Sequence, residues 1–179
     1  MGVGKVEIVG WKDPGLLQGT THAMMSIGEF MDAHVNNHST RNNIPVAPFF
    51  FPKTKSSGPD MVFFIRINGR KLVPVFVQTK LHQSSASLNK KAWNAALATV
   101  SASCIQGHAK DSRNFCPDNI YISMVVAYPM RCSSTLPPVK VPKIDANGVQ
   151  QVVIRVVYHS GTLRAFQRGT KTDRKRGPG

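Results

Sequence analysis

Three side chains in this sequence suit phosphate chemistry by type and spacing. Asp60 follows Gly58-Pro59 at the head of one apolar run, and Gln78 and Lys80 end the next. Hydrolysing a phosphodiester near neutral pH takes a cation to neutralise the phosphate, oxygen ligands to hold that cation, and a group to position the attacking water. Ligand sets are few, because the chain has 9 aspartates and glutamates and its only glutamates are Glu7 and Glu29. Each group also has a plain structural role open to it. Asp60 after a proline fits a turn, Glu29 three residues after Ser26 fits a capping box, and Gln78 and Lys80 fit the solvated end of a strand. His34 and His38 have the i, i+4 spacing of helical zinc ligands, yet Val35 follows His34 where a zinc protease carries glutamate, so the pair is not assigned a metal.

Hydropathy periodicity outlines the elements that must position these groups. Apolar runs at Met61–Ile67 and Leu72–Lys80 flank Asn68-Gly69, two residues that tolerate the positive φ of a tight hairpin. Val73, Val75 and Val77 alternate with Leu72, Pro74 and Phe76, so both faces of the second strand are apolar and it is expected at the centre of a covered sheet. Gln78 and Lys80 share one face at the end of that strand, a common location for working residues in α/β sheets. Register decides whether Asp60 joins them. A two-residue loop at Asn68-Gly69 pairs Ile67 with Arg70 and Asp60 with Val77, which turns the carboxylate to the wrong face. One extra residue, from a three-residue loop or an irregularity at Pro74, sets Asp60 opposite Gln78, and this bulge is the expectation.

Met24, Ile27, Met31 and Val35 recur at helical spacing and predict a first helix over about residues 21–37, with Ser26 and Glu29 matching a capping box. A second helix is expected from about 88 to 107, with Trp93, Leu97, Val100 and Cys104 as its core stripe, Ser85 or Ser87 near its cap, and Lys90 and Lys91 exposed near its start. Residues 5–11, 120–126 and 152–158 read as strands, and 45–51 is a dense apolar run before Pro52. Together these predict one α/β domain over residues 1–163, a central mixed β-sheet flanked by helices. Residues 164–179 read as a basic flexible tail.

The order of helix, strand, Gly-Pro-Asp hairpin, Gln-x-Lys, helix and strand resembles the PD-(D/E)XK nuclease superfamily over about residues 24–127. It also resembles nuclease-like domains of fungal proteins associated with Crinkler effectors or mobile elements, in which a Gly-Pro-Asp strand leads into a Val-Gln-x-Lys strand. The resemblance implies a restriction-endonuclease-like αβββαβ fold and a hydrolase that uses Mg2+ (or Mn2+). Asp60 and Gln78 would be metal ligands, Glu29 an outer ligand, and Lys80 the group that orients water or steadies charge on the phosphate. Gln78 departs from the pattern, since the family usually has Glu or Asp there, and an uncharged oxygen weakens magnesium binding.

Charge points the same way. Lys and Arg number 23 against 9 acidic residues, a net charge of +14, and such a field attracts polyanions. Nucleic acid is the expected partner, DNA before RNA, with Lys90, Lys91, His82, Arg164, Arg168, Lys171, Arg174, Lys175 and Arg176 as phosphate contacts. Lys171–Arg176 also has the composition of a nuclear-import stretch. No apolar stretch approaches the roughly 20 residues of a membrane helix and none resembles a secretory core, so an intracellular, soluble protein is expected without a membrane partner. The cysteines Cys104, Cys116 and Cys132 are odd in number and widely spaced, and read as reduced thiols. A nucleic-acid-binding module without catalysis and a basic structural protein that binds RNA are the competing readings. The sequence does not settle the oligomeric state.

Overall fold

The computed structural model describes residues 4–10, 26–40, 47–52, 58–81, 87–101, 104, 115–128, 131–132, 143–144 and 148–157. Its elements in chain order are β1 (Val6–Ile8), α1 (Ile27–Thr40), β2 (Phe49–Phe50), β3 (Met61–Ile67), β4 (Lys71–Leu81), β5 (Ser87–Leu88), α2 (Lys90–Thr99), β6 (Ile120–Tyr128), β7 (Arg131–Cys132), β8 (Lys143–Ile144) and β9 (Gln150–Val157). The antiparallel hairpin of β3 and β4 organises the sheet. The Arg70 N–H donates to Ile67 O at 3.1 Å across Asn68 (φ 52°) and Gly69 (φ 69°), a turn open only to residues that accept the left-handed region. Ile67 nevertheless pairs with Lys71, so Arg70 is the extra residue, and at the far end Met61 pairs with Val77. The bulge expected from the sequence is therefore present, at the loop rather than at Pro74.

The main sheet is mixed and follows the order β1-β3-β4-β6-β9-β8, with β2 also paired to β3. β4, β6 and β9 run parallel to one another, while the remaining pairings are antiparallel. A parallel pair cannot be closed by a tight turn and needs a crossover, which α2 supplies between β4 and β6. β5 and β7 form a separate small parallel pair.

Pairing partners place Val62 and Phe64 of β3, Leu72 and Phe76 of β4, and Tyr121, Val125 and Ala127 of β6 on one face, and all are buried. α1 packs here through Phe30, whose ring stacks on Phe50 at 5.4 Å and lies 6.2 Å from Phe64. α2 adds Trp93, Ala96 and Val100 to the same core. The sequence suggested helices flanking the sheet. Among the described residues both helices instead share this face. Val73, Val75 and Val77 on the opposite face are buried as well, which agrees with the central position read from their pattern.

Both helices differ in length from expectation for local reasons. α1 begins at Ile27, where Ser26 and Glu29 bond reciprocally, Ser26 N–H to Glu29 Oε2 at 2.6 Å and Glu29 N–H to Ser26 Oγ at 3.2 Å. α2 starts later than predicted because Asn89, not a serine, caps it by accepting the Ala92 N–H at 2.9 Å. It ends at Thr99, where Val100 leaves helical geometry (φ −112°, ψ 18°) and the Ser101 hydroxyl donates to Ala98 O at 2.7 Å in competition with the backbone ladder; of the predicted continuation to 107, residues 102–103 and 105–107 lie outside the described residues. Cys104 and Cys116 are free thiols, and burial raises the Cys104 pKa. No helix among the described residues is long and apolar enough to cross a membrane.

Candidate active site at the end of the central hairpin

The shifted register brings the sequence-predicted groups together. The Asp60 N–H donates to Val77 O at 2.8 Å, just beyond Met61–Val77, the last pair of the β3–β4 ladder. The Asp60 side chain there meets that of Gln78. The Asp60 carboxylate then gathers three donors on one oxygen: Gln78 Nε2 at 2.5 Å, the Thr79 N–H at 2.6 Å and Thr79 Oγ1 at 2.6 Å. Charge-assisted bonds of this kind are roughly twice as strong as neutral ones, and they fix the carboxylate against the strand end. All three fall on Oδ2. Among the described residues Oδ1 accepts none, and Asp60 is solvent-exposed.

The Gln78 amide is buried and is held from both sides. An ionised carboxylate only accepts, so the amide atom 2.5 Å from Asp60 Oδ2 must be the nitrogen, which also donates to Thr79 O at 3.1 Å. Its carbonyl, Oε1, points to α2 and lies 2.5 Å from Thr99 Oγ1. The Thr99 hydroxyl has one proton and two acceptors in reach, Gln78 Oε1 and, 2.7 Å away, Ala96 O. Lys80 stands two residues beyond Gln78 on the same face, half-buried, beside Ala127 of β6. Among the described residues it makes no ion pair.

The remaining candidates are spread out. Glu29 is exposed and spends both its interactions on Ser26, which holds its carboxyl below the usual glutamate range through the Ser26 N–H and then the Ser26 hydroxyl. No contact joins it to Asp60 among the described residues. Lys90 and Lys91 are exposed on the first turn of α2. That turn has no acidic side chain to offset them. His82, Arg164, Arg168, Lys171, Arg174, Lys175 and Arg176 lie outside the described residues. His34 is buried against Phe30 and Phe64 and bonds Ala47 O at 2.9 Å, so it belongs to the core rather than to a zinc pair with His38.

Thr79 and Thr99 were not read from the sequence as site residues. Thr79 lay inside the Gln-x-Lys run as its variable position, and only the register shows that its N–H and hydroxyl face Asp60. Thr99 carries no local signal at all, since its partner is 21 residues away.

The donor set is compatible with a hard divalent cation. Asp60 Oδ1 offers an anionic oxygen to solvent, and the Gln78 carbonyl can supply a second, neutral oxygen if the amide turns over. No group of three or more His, Cys, Asp or Glu side chains suited to a metal occurs among the described residues. Magnesium does not require one, because it commonly takes one or two protein oxygens with water and substrate phosphate. No protein-family model, curated protein or solved structure matches the chain.

Proposed function

We propose that this chain is a nucleic-acid-binding phosphodiesterase with a restriction-endonuclease-like fold, acting on DNA with magnesium or manganese. The hairpin register carries the reading: it sets a carboxylate and an amide against each other at 2.5 Å, with a lysine on the same face two residues further. The order α1, β2, β3, β4, α2, β6 also supports it, as this is the αβββαβ arrangement that the motif resemblance implies. Asp60 and Gln78 would hold the cation. Once bound, the cation neutralises phosphate charge and acidifies the attacking water.

The chain's own groups divide the rest of the work. Thr79 fixes the Asp60 carboxylate with two donors, so a ligand oxygen is presented without reorganisation. The Lys80 ammonium contacts the scissile phosphate or the water beside it and favours the charge that develops there. Lys90, Lys91 and the basic C-terminal residues bind neighbouring phosphates and make association salt-dependent.

A nucleic-acid-binding module without cleavage is the second reading. It is favoured by one observation, that Gln78 already presents a donor to Asp60 and satisfies the carboxylate without a cation. Incubating plasmid and oligonucleotide DNA with the protein and Mg2+ or Mn2+ separates the two. Cleavage that is lost in both Asp60→Ala and Lys80→Ala is expected, with the fold checked by circular dichroism. Cleavage unaffected by both substitutions would remove the assignment, and salt-sensitive binding with no cleavage under either metal would establish the second reading.

A further inference from the structure

We infer that the Gln78 side chain is a two-position switch, turned over by the cation and steadied in its turned position by Thr99. This rests on the site assignment proposed above, and it adds Thr99 as a positioning residue.

The argument is a count of donors and acceptors. In the arrangement seen, Gln78 Nε2 faces Asp60 Oδ2 and Thr79 O, and both of its hydrogens are used. At the other end, Gln78 Oε1 and Ala96 O compete for the single Thr99 proton, so only one bond forms there. The amide nitrogen occupies the place beside Asp60 that a cation needs. Turning the amide by half a revolution reverses each relation. Oε1 then faces Asp60 Oδ2 and Thr79 O, both of which lose the amide donor, and this is repulsive unless a positive charge lies among the oxygens. Nε2 meanwhile faces Thr99 Oγ1, whose lone pairs accept while its own proton goes undivided to Ala96 O. The helix end thus gains a bond in the turned position. Thr99 thereby offsets part of the loss at the Asp60 end, and a neutral glutamine serves as a cation ligand with one of its two amide hydrogens still bonded.

Side-chain rotation about this terminal bond needs no backbone movement, because such torsions are broad and roughly two-fold. The cradle is also rigid. Thr79 holds Asp60, and in the turned position the Thr99 proton is committed to Ala96 O, 2.7 Å away on its own helix.

The test uses the full chain and Mg2+ alone, without DNA. In 15N-labelled protein, titration should move the Gln78 side-chain NH2 resonances and produce a nuclear Overhauser contact from that NH2 to the Thr99 methyl group at saturation. Thr99→Val, which keeps the shape but removes the hydroxyl, should weaken Mg2+ binding by calorimetry about tenfold, the worth of roughly one hydrogen bond. Thr99→Ser should bind within about twofold of the wild type. If Mg2+ binds but the NH2 group stays against Asp60, or Thr99→Val binds equally well, the switch is wrong while the metal site stands. Absence of any Mg2+ binding overturns both. The resonance measurement on the unaltered chain decides the matter even if Thr99→Val fails to fold.

Discussion

The imidazole of His34 lies nearly flat against the ring of Phe64, with 4.7 Å between centroids and 18° between planes. It is 2% exposed, its Nε2 meets Ala47 O, and among the described residues its Nδ1 has no hydrogen-bond partner. Burial outweighs the Ala47 bond and lowers the pKa to about 4. The folded ring therefore stays neutral where an unfolded one takes up a proton. Below the unfolded pKa of about 6.5 the unfolded state binds more protons, so stability falls as pH drops toward 4. The full loss is on the order of 3 kcal/mol. Urea midpoints measured from pH 7 to pH 4 should show it, and His34→Phe should flatten that part of the profile; an unchanged slope in the variant would refute the assignment.

The turn at Asn68-Gly69 and the bulge at Arg70 make separable contributions. Gly69 has φ +69° and open space around a would-be Cβ, so Gly69→Ala should cost about 1 kcal/mol of backbone strain and leave the register intact. Deleting Arg70 should instead slip the pairing by one residue and separate Asp60 from Gln78. The readouts are the urea midpoint for the first variant and DNA cleavage with the Gln78 NH2 spectrum for the second. Cleavage retained after the deletion would show that the register does not govern the site.

A buried polar relay holds the end of α2 to the sheet. Gln151 Nε2 donates to Ser123 Oγ at 2.8 Å, and Ser123 donates to Val100 O at 2.6 Å. Ser123→Ala leaves both partners unsatisfied and should destabilise by about 1–3 kcal/mol. Because Val100 directly follows Thr99, the same substitution should also disturb the Thr99–Gln78 contact. Denaturant unfolding gives the first effect, and the Thr99 methyl resonance reports the second.

Exposed Lys90 and Lys91 stand at the positive end of the α2 dipole with no nearby carboxylate in that turn. If they neutralise phosphates, replacing both with alanine should reduce the slope of log affinity against log salt by roughly two for duplex DNA, with no preference among sequences. Fluorescence anisotropy at several salt concentrations measures that slope. An unaltered slope would place the interface elsewhere.

Local chemistry made much of this legible in the sequence. Asn68-Gly69 announced the hairpin, the alternating valines announced a strand buried on both faces, and Ser26 with Glu29 announced the start of α1. Gln78 and Lys80 stood out because polar residues closed an apolar run. What was missed depended on distance along the chain. The Thr99–Gln78 bond and the stacking of His34 on Phe64 join residues brought together only when the helices pack on the sheet. The break in α2 after Thr99, where the Ser101 hydroxyl bonds back to Ala98 O, is an outcome that periodicity does not encode. The placement of both helices on one face likewise follows from strand order, which apolar patterns leave open.

The position of the site within the order of strands bears on how the protein is made. Asp60, Gln78, Thr79, Lys80 and Thr99 all precede β6 and β9 in the chain and therefore emerge from the ribosome ahead of them. The β3–β4 hairpin is local in sequence and α2 follows it closely, so the groups that must meet are in hand early. The parallel partners come last, with a larger loop-closure cost. Until β6 arrives, the edge of β4 that it will pair with is an open row of backbone N–H and C=O groups, and the nascent chain is most prone to aggregate during that interval.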